Sequence, residues 1–431
     1  MLIAADANGK PRQSAGFYLE LSAYWFALSF LWGGMITIVM QRLVLQMAGD
    51  QKDLYLGWTL GLGAAVSTVV CLVMGAASDR SRWSWGRRRP YILVGTLLAV
   101  PSLLALPLAR SIPELILAFC AIQLFTNLAT APYQALVPDL VPRERQGAAS
   151  AWMGMGSLLG QLGGLILCAA LITRPHGLET IMRTLAALLA AAMLWTVFRI
   201  PEASAAANPA PTSGFLTNLR NAFRVDLRSH PSFGWLIASR FAINMGFYTA
   251  TEFLLYYVRD TLHAARPEST VGLIFIIVTI AGLAGNFPAG LLADRMSKKL
   301  VVYISSAVTA VAALVFLVAQ SLPVAMAASC IFGAGFGAFA AVDWALATNL
   351  MPERDEARYM GVWHISFTVP QVVAPLIGGV LAYAVNRAMG PGVGYRAVLA
   401  LVLVYFAIGV ACIRPVKERA IARPAAAGSG T

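Results

Sequence analysis

The sequence predicts an all-α integral membrane protein with twelve transmembrane helices in two pseudo-symmetric six-helix bundles. Three observations carry this. Of 431 residues, 58% are hydrophobic and 12% charged, about half the charge of a soluble domain and too little to clothe a surface facing water. Apolar stretches of roughly 20 residues, enough to cross a hydrocarbon core, recur along the chain. Short motifs also repeat between the two halves at a constant offset.

Residues 1–17 are mixed and polar, with no short apolar core and cleavage site, so no signal peptide is expected and the segment reads as cytoplasmic. Six spans follow: 18–40, 55–78, 90–109, 113–138, 146–172 and 178–199. They form an N-terminal bundle, 18–199. Residues 200–231 contain "PEASAAANPAPTSG", a flexible linker composition. Six more spans, 232–258, 270–292, 298–319, 323–350, 359–385 and 393–413, form a C-terminal bundle, 232–414, with a tail at 415–431. The five cysteines lie singly and make no CxxC pair, so they read as small buried hydrophobes.

With both termini and the linker on one side, 22 of the 32 Lys and Arg fall on that side, 9 on the other, and Arg240 alone inside a span. The majority side is therefore expected to be cytoplasmic. The expected location is a cell membrane, the inner membrane if the source is bacterial. The basic residues are spread over alternating loops with no aromatic-basic module, which excludes a nucleic-acid partner. The lipid bilayer is the expected surrounding, and no obligate protein partner is evident. HExxH, P-loop and Walker patterns are absent, so neither an enzyme nor an ATP-driven pump is expected.

The densest charge lies in "GAASDRSRWSWGRRRP", Gly75 to Pro90, after span 2. It carries Gly75, Asp79, Arg80, Gly86, Arg87, Arg88 and Arg89. Span 8 ends in "GLLADR", with Gly290, Asp294 and Arg295, 215 residues from the first Asp-Arg pair. Gly163–Gly164 in span 5 match Gly378–Gly379 in span 11 at the same offset of 215. More loosely, Pro142 opens the loop after span 4 and Pro352 the loop after span 10. Two matching halves point to an internally duplicated carrier with its substrate between them.

The pattern resembles the major facilitator superfamily over residues 18–414. Five residues, Ser81 to Trp85, separate Arg80 from Gly86, and "GRRRPYI" follows. That long form looks like the glycoside–pentoside–hexuronide:cation symporters, especially the plant sucrose/proton branch. The resemblance implies the major facilitator fold and cation-coupled sugar uptake. Two departures stand out. Span 4 ends in "APYQALVPDL", with Gln134 where the plant carriers have a functional arginine. Span 2 as bounded has no acid before Asp79, unlike the melibiose-type members. Sucrose and sodium are therefore not carried over. A proton is the expected coupling ion, and no cofactor or metal is expected.

Ionisable residues within spans are costly and functional by default. In span 7, Arg240, Asn244, Tyr248 and Glu252 recur every four residues on one face. Asp343 in span 10 sits at the depth of Arg240, about 10–12 Å from the cytoplasmic end, so the two are expected to form a switchable pair lining the cavity. A purely structural pair is the alternative. A carboxyl in an apolar site can load and release a proton near neutral pH, so Glu252 or Asp343 is the expected proton-coupling acid.

Sugars need hydrogen bonds and a flat apolar face. The expected substrate-binding set is Trp32, Gln41, Gln123, Asn127, Tyr133, Gln134, Gln161, Asn244, Tyr248, His364 and Gln371. The competing reading for each is hydrogen bonding and close packing between helices. In the loop, Gly75 and Gly290 are expected to let helices approach. Asp79, Arg80, Asp294 and Arg295, with Arg87–Arg89 facing Asp139 and Glu144, are expected to gate the cytoplasmic ends. Lipid-head binding is the plainer role for the arginines. Three functions stay open: a proton-coupled sugar or glycoside carrier, an exporter of drug-like or amphiphilic compounds, and a non-transporting assembly factor or sensor.

Overall fold

The computed structural model describes residues 14–142, 145–202, 228–350 and 356–417. Most of the expected linker, most of both terminal segments, Glu144 and Pro352 lie outside the described residues, as do the side chains of Asp294 and Arg295. Every regular element among the described residues is helical.

The first helix, α1 (Ala15–Gly34), starts at Ser14, whose hydroxyl accepts the Phe17 N–H at 3.2 Å, an N-cap for an otherwise orphaned donor. It passes through a π-helical segment, Met35–Met40, into α2 (Gln41–Ala48). The chain turns at Gly49, whose φ of +54° favours glycine. Helix α3 (Lys52–Asp79) follows and begins three residues before the expected span. It thereby brings Lys52 and Asp53 into the helix, where partners from the second half of the chain hold them.

The remaining helices are α4 (Arg89–Ala105), α5 (Ile112–Gln134), the short α6 (Leu136–Leu140), α7 (Gln146–Leu171), α8 (Gly177–Arg199), α9 (Pro231–Glu252), the single turn α10 (Leu254–Tyr256), α11 (Pro267–Arg295), α12 (Lys298–Val318), α13 (Leu322–Leu350), α14 (Glu356–Met389) and α15 (Val393–Ile413). Helices α4, α5, α9, α11 and α13 each carry proline at the first or second position, where its missing N–H costs nothing. The expected span 232–258 is not one straight helix. It breaks at Phe253 and continues through α10 into a second π-helical segment, Tyr257–Thr261.

Ten stretches among the described residues are long and apolar enough to cross a membrane, which makes this a multi-pass membrane protein. One of them, Ala15–Asp79, is 65 residues long, about three times the length of a single crossing. Helix α9 is not among the ten, and its polar stripe accounts for that.

Two groups of helices pack together. In the first, α1 packs on α7 and α8, α3 on α5, and α4 on α5 and α8. In the second, α9 packs on α14 and α15, α11 on α13, and α12 on α13 and α15. The groups meet where α3 packs on α14 and α7 on α11. Glycines set these approaches. A Cβ on Gly164 would strike the Phe30 carbonyl of α1, and one on Gly379 would come within 2.6 Å of the Asp53 carbonyl of α3. Gly75 and Gly290 behave otherwise than expected, because a Cβ at either would meet nothing within 4 Å.

One end of the molecule carries the arginine-rich loop. Arg88 is buried there, donating to Ser78 Oγ at 2.5 Å, to Asp79 at 2.6 Å and to Asp139 at 3.0 Å, while Arg87 grips both oxygens of Asp139 at 2.8 Å. Glu202 accepts the N–H groups of Arg87, Arg88 and Arg89 at 2.7–3.1 Å, an anion at the start of α4 as the helix dipole favours. Gly86 has φ +127° beside that carboxylate. These partners all belong to the first group. The expected pairing of Arg87 and Arg88 with Asp139 is present, and it joins α3, α4 and the α5–α6 end into one block.

The opposite end is tied across the groups. Arg42 pairs with Glu268 at 2.7 Å and Lys52 with Asp260 at 3.1 Å. Asp53 accepts from Tyr395 at 2.6 Å and from Asn386 at 2.8 Å.

Candidate functional site

A cavity of about 430 Å³ lies between the two groups. From the first group, α1 gives Trp25, Ser29 and Trp32, spaced four and three apart on one helical face. The π-helical segment adds Thr37, and α3 adds Ser67. Helix α5 contributes Phe119, Gln123, Asn127 and Thr130, and α7 contributes Ser157 and Gln161. From the second group come Phe247, Tyr248, Thr251 and Glu252 of α9, Phe275 of α11, and Phe367 and Gln371 of α14. Every amide on the wall except Gln371 comes from the first group, and both groups supply aromatic rings.

The polar wall is ordered. Ser29 and Ser157 share a hydrogen bond of 2.8 Å between α1 and α7. Asn127 donates to the side-chain oxygen of Gln123 at 3.1 Å and accepts from the Cys71 thiol at 3.1 Å. Gln371 donates to the Tyr248 hydroxyl at 2.9 Å, joining α14 to α9. The aromatic wall is braced from behind: Phe247 stacks on Phe336 at 4.1 Å, and Tyr248 meets the edge of Phe367 at 5.7 Å. Trp32 meets the edge of Phe119 at 6.3 Å. The result is a wall in which amide and hydroxyl groups alternate with flat apolar rings around a cavity of ligand-pocket size.

Glu252 is buried, 6% exposed, and its Oε2 has no hydrogen-bond partner among the described residues. It stands at the last position of α9, one turn beyond Tyr248 and immediately before the break at Phe253.

Arg240 and Asp343 do pair, with Arg240 Nη1 donating to Asp343 Oδ2. The Arg240 guanidinium also lies 3.8 Å from the Trp363 ring centroid, a cation–π contact that adds to the pair. Neither residue is part of the cavity wall, and Asp343 is 1% exposed. The pair sits three helical turns before Glu252, about 18 Å along α9.

Of the eleven expected contact residues, Trp32, Gln123, Asn127, Gln161, Tyr248 and Gln371 come together on the cavity wall. Five do not. Tyr133 is buried against Tyr24, donates to the Leu21 carbonyl and accepts the Trp25 N–H at 3.2 Å, so its hydroxyl is spent between α5 and α1. Gln134 ends α5 and is exposed. Gln41 lies at the tied end, where its side-chain oxygen accepts the Leu255 N–H at 3.2 Å and its carbonyl accepts the Tyr256 hydroxyl at 2.9 Å. Asn244 donates to the Ser366 carbonyl at 3.2 Å. His364 is exposed, outside the wall. The sequence reading also passed over Trp25, although it stands seven residues, two helical turns, before Trp32 and shares its face.

The comparisons agree with this architecture. A family model described as MFS/sugar transport protein matches residues 52–413. The chain is 23% identical to an uncharacterised MFS-type transporter of Methanocaldococcus jannaschii, over 80% of this chain and 84% of that one. It is 23% identical to the sucrose transport protein SUT5 of rice, Oryza sativa, over 81% and 79% of the respective chains. It is 24% identical to the fujikurins efflux protein of Gibberella fujikuroi, over 69% and 62%. In fold it is similar to a bacterial homologue of the human lysosomal transporter Spinster, solved in an inward-facing, occupied conformation, with a TM-score of 0.72, 14% identity, and 92% and 96% of the two chains covered. With the match spanning nearly all of its helices, the chain belongs to the MFS/sugar transport protein family and is a membrane transporter.

Proposed function

We propose that the chain is a secondary active transporter that moves a sugar or glycoside by alternating access in symport with protons. The observation that carries this is the cavity between the two groups, whose wall combines amides, aromatic rings and the buried acid Glu252. In this reading the twelve predicted spans form two bundles, 18–199 and 232–414, with the linker and both termini in the cytoplasm of a cell. The packing supports the duplication. The contacts of α1 with α7 and α8 recur as those of α9 with α14 and α15, and those of α3 and α4 recur as those of α11 and α12. The arginine-rich end is then cytoplasmic, as its excess of cations favours, and the tied end is the outer one, closed.

Glu252 is the proton-coupling acid. The Arg240–Asp343 pair is a neutral charge unit near the cytoplasmic end of the second bundle that exchanges partners as the bundles rock. The test is flux. Proteoliposomes holding the protein and a trapped pH dye should acidify inside when a transported sugar is added outside. A panel of sugars and glycosides, none of which moves protons or competes for uptake, would count against the reading. Export of an amphiphile is the second reading, favoured by the fungal efflux relative and the aromatic wall. Flux outward rather than inward under the same gradient would select it.

A further inference from the structure

We propose that the cavity admits uncharged cargo and excludes carboxylated or phosphorylated sugars, and that Glu252 sets this selectivity. This rests on the sugar-transport reading above and narrows it to a substrate class.

Among the described residues that line the cavity there is no lysine, arginine or histidine. The one carboxyl in the wall is Glu252, with an oxygen that no protein group satisfies. Arg240 is the cation nearest along the same helix. It is committed to Asp343 and covered by the Trp363 ring, so its charge is already matched. An anion entering the cavity leaves water and finds no counter-charge, which is unfavourable in either state of Glu252. If Glu252 is ionised, the two negative charges also repel. If it is protonated, it offers a single O–H donor. A neutral sugar meets the opposite situation. Its hydroxyls find amides that both donate and accept at Gln123, Asn127, Gln161 and Gln371, and they supply the unsatisfied oxygen of Glu252 with a donor. A carrier for uronates or sugar phosphates needs a cation where this wall has an acid.

Matched probes isolate the charge. Phenyl β-glucoside and phenyl β-glucuronide differ only in a hydroxymethyl group against a carboxylate, and the phenyl β-galactoside and galacturonide pair repeats the comparison. Trp25 and Trp32 in the wall report binding by fluorescence quenching of the purified full chain in detergent. The wild type should bind at least one neutral glycoside and bind its uronide at least about tenfold more weakly. At a pH where Glu252 is ionised, Glu252→Gln should narrow that gap about threefold by removing the repulsion and leave the remainder, because the wall still offers no cation, and Gln371→Arg should favour the uronide. A wild-type protein that binds uronide and glycoside equally would overturn the proposal without any variant. So would a folded Glu252→Gln protein that keeps the full gap. If no neutral glycoside and no uronide bind, the sugar reading falls and this proposal with it; if a neutral glycoside binds and its uronide matches it, only the charge selectivity falls.

Discussion

Tyr395→Phe tests the closure of the tied end with a change of one hydroxyl. Tyr395 is 1% exposed on α15, and its hydroxyl reaches Asp53 on α3 at 2.6 Å and Asp260 at 3.3 Å. Asp53 and Tyr395 sit in different groups of helices, so their bond exists only while that end is closed. A hydrogen bond to a charged group contributes about 1.5–3 kcal/mol. Losing it loads that cost onto the closed conformation alone. At 1.4 kcal/mol per tenfold, the open population should rise roughly 10- to 150-fold relative to the closed one. Asn386 keeps its 2.8 Å bond to the other Asp53 oxygen, so closure is weakened, not abolished. Spin labels at the exposed Arg110 and Met389, one in each group, would report the separation at this end by pulsed electron resonance. The variant should gain a longer-distance population that the wild type lacks. An unchanged distance distribution in a folded protein would refute the reasoning.

Other changes should separate the roles of neighbouring residues. Glu252→Gln should abolish proton-driven accumulation while leaving sugar counterflow, which needs no net proton movement; accumulation retained in proteoliposomes would remove Glu252 from coupling. Arg88→Ala should cost about 1–3 kcal/mol, because it removes a buried guanidinium with three hydrogen bonds while leaving Asp79 exposed to solvent and Asp139 bound to Arg87, whereas Arg87→Ala, at a half-exposed site, should cost about 1 kcal/mol or less. Thermal unfolding in detergent reads both. Gly164→Ala should destabilise by about 1–3 kcal/mol by forcing α7 off the Phe30 carbonyl, while Gly75→Ala and Gly290→Ala, with open space around them, should be neutral or stabilise by up to about 1 kcal/mol. For the Arg240–Asp343 pair, the double variant Arg240→Asp with Asp343→Arg should restore the fluorescence-detected monodispersity that either single change loses; transport that stays dead in the refolded double variant would mark the pair as part of the transport cycle.

Spans and cavity were legible from different signals, and each failed in its own way. Hydropathy places helices because lipid rewards any apolar 20-residue run. It also trims charged residues from helix ends, and so Asp53 was left outside span 2. The partners that bring Asp53 inside are 333 and 342 residues away, beyond any local pattern. Helical stripes found Gln123, Asn127 and Gln161 because a cavity wall repeats at three or four residues. The same stripe carried on too far, to Gln134, where α5 ends. Tyr133 shows why residue type alone misleads, since a tyrosine hydroxyl suits a sugar and a buried carbonyl equally well, and here Leu21 takes it. Glu202 was hidden in a linker composition, yet it organises the start of α4 through three N–H groups.

The repeated packing and the cavity make opposite demands on the sequence, and α9 shows how both are met. The frame repeats: two sets of helix pairs pack in the same pattern, and matched glycines set close approaches in each. The walls do not repeat: the first group supplies three of the four amides and both tryptophans, the second the buried acid Glu252. Helix α9 joins the two tasks. Tyr248 and Glu252 face the cavity one turn apart, and Phe253 ends the regular helix directly after the acid. Within eight residues of Glu252, the same segment reaches Gln41 through Leu255 and Tyr256, and Lys52 through Asp260. Glu252 therefore adjoins a segment that is not locked into a continuous helix and that carries contacts at the tied end. The cavity acid and the contacts of the tied end thus share one short stretch of backbone, with no relay of packed side chains between them.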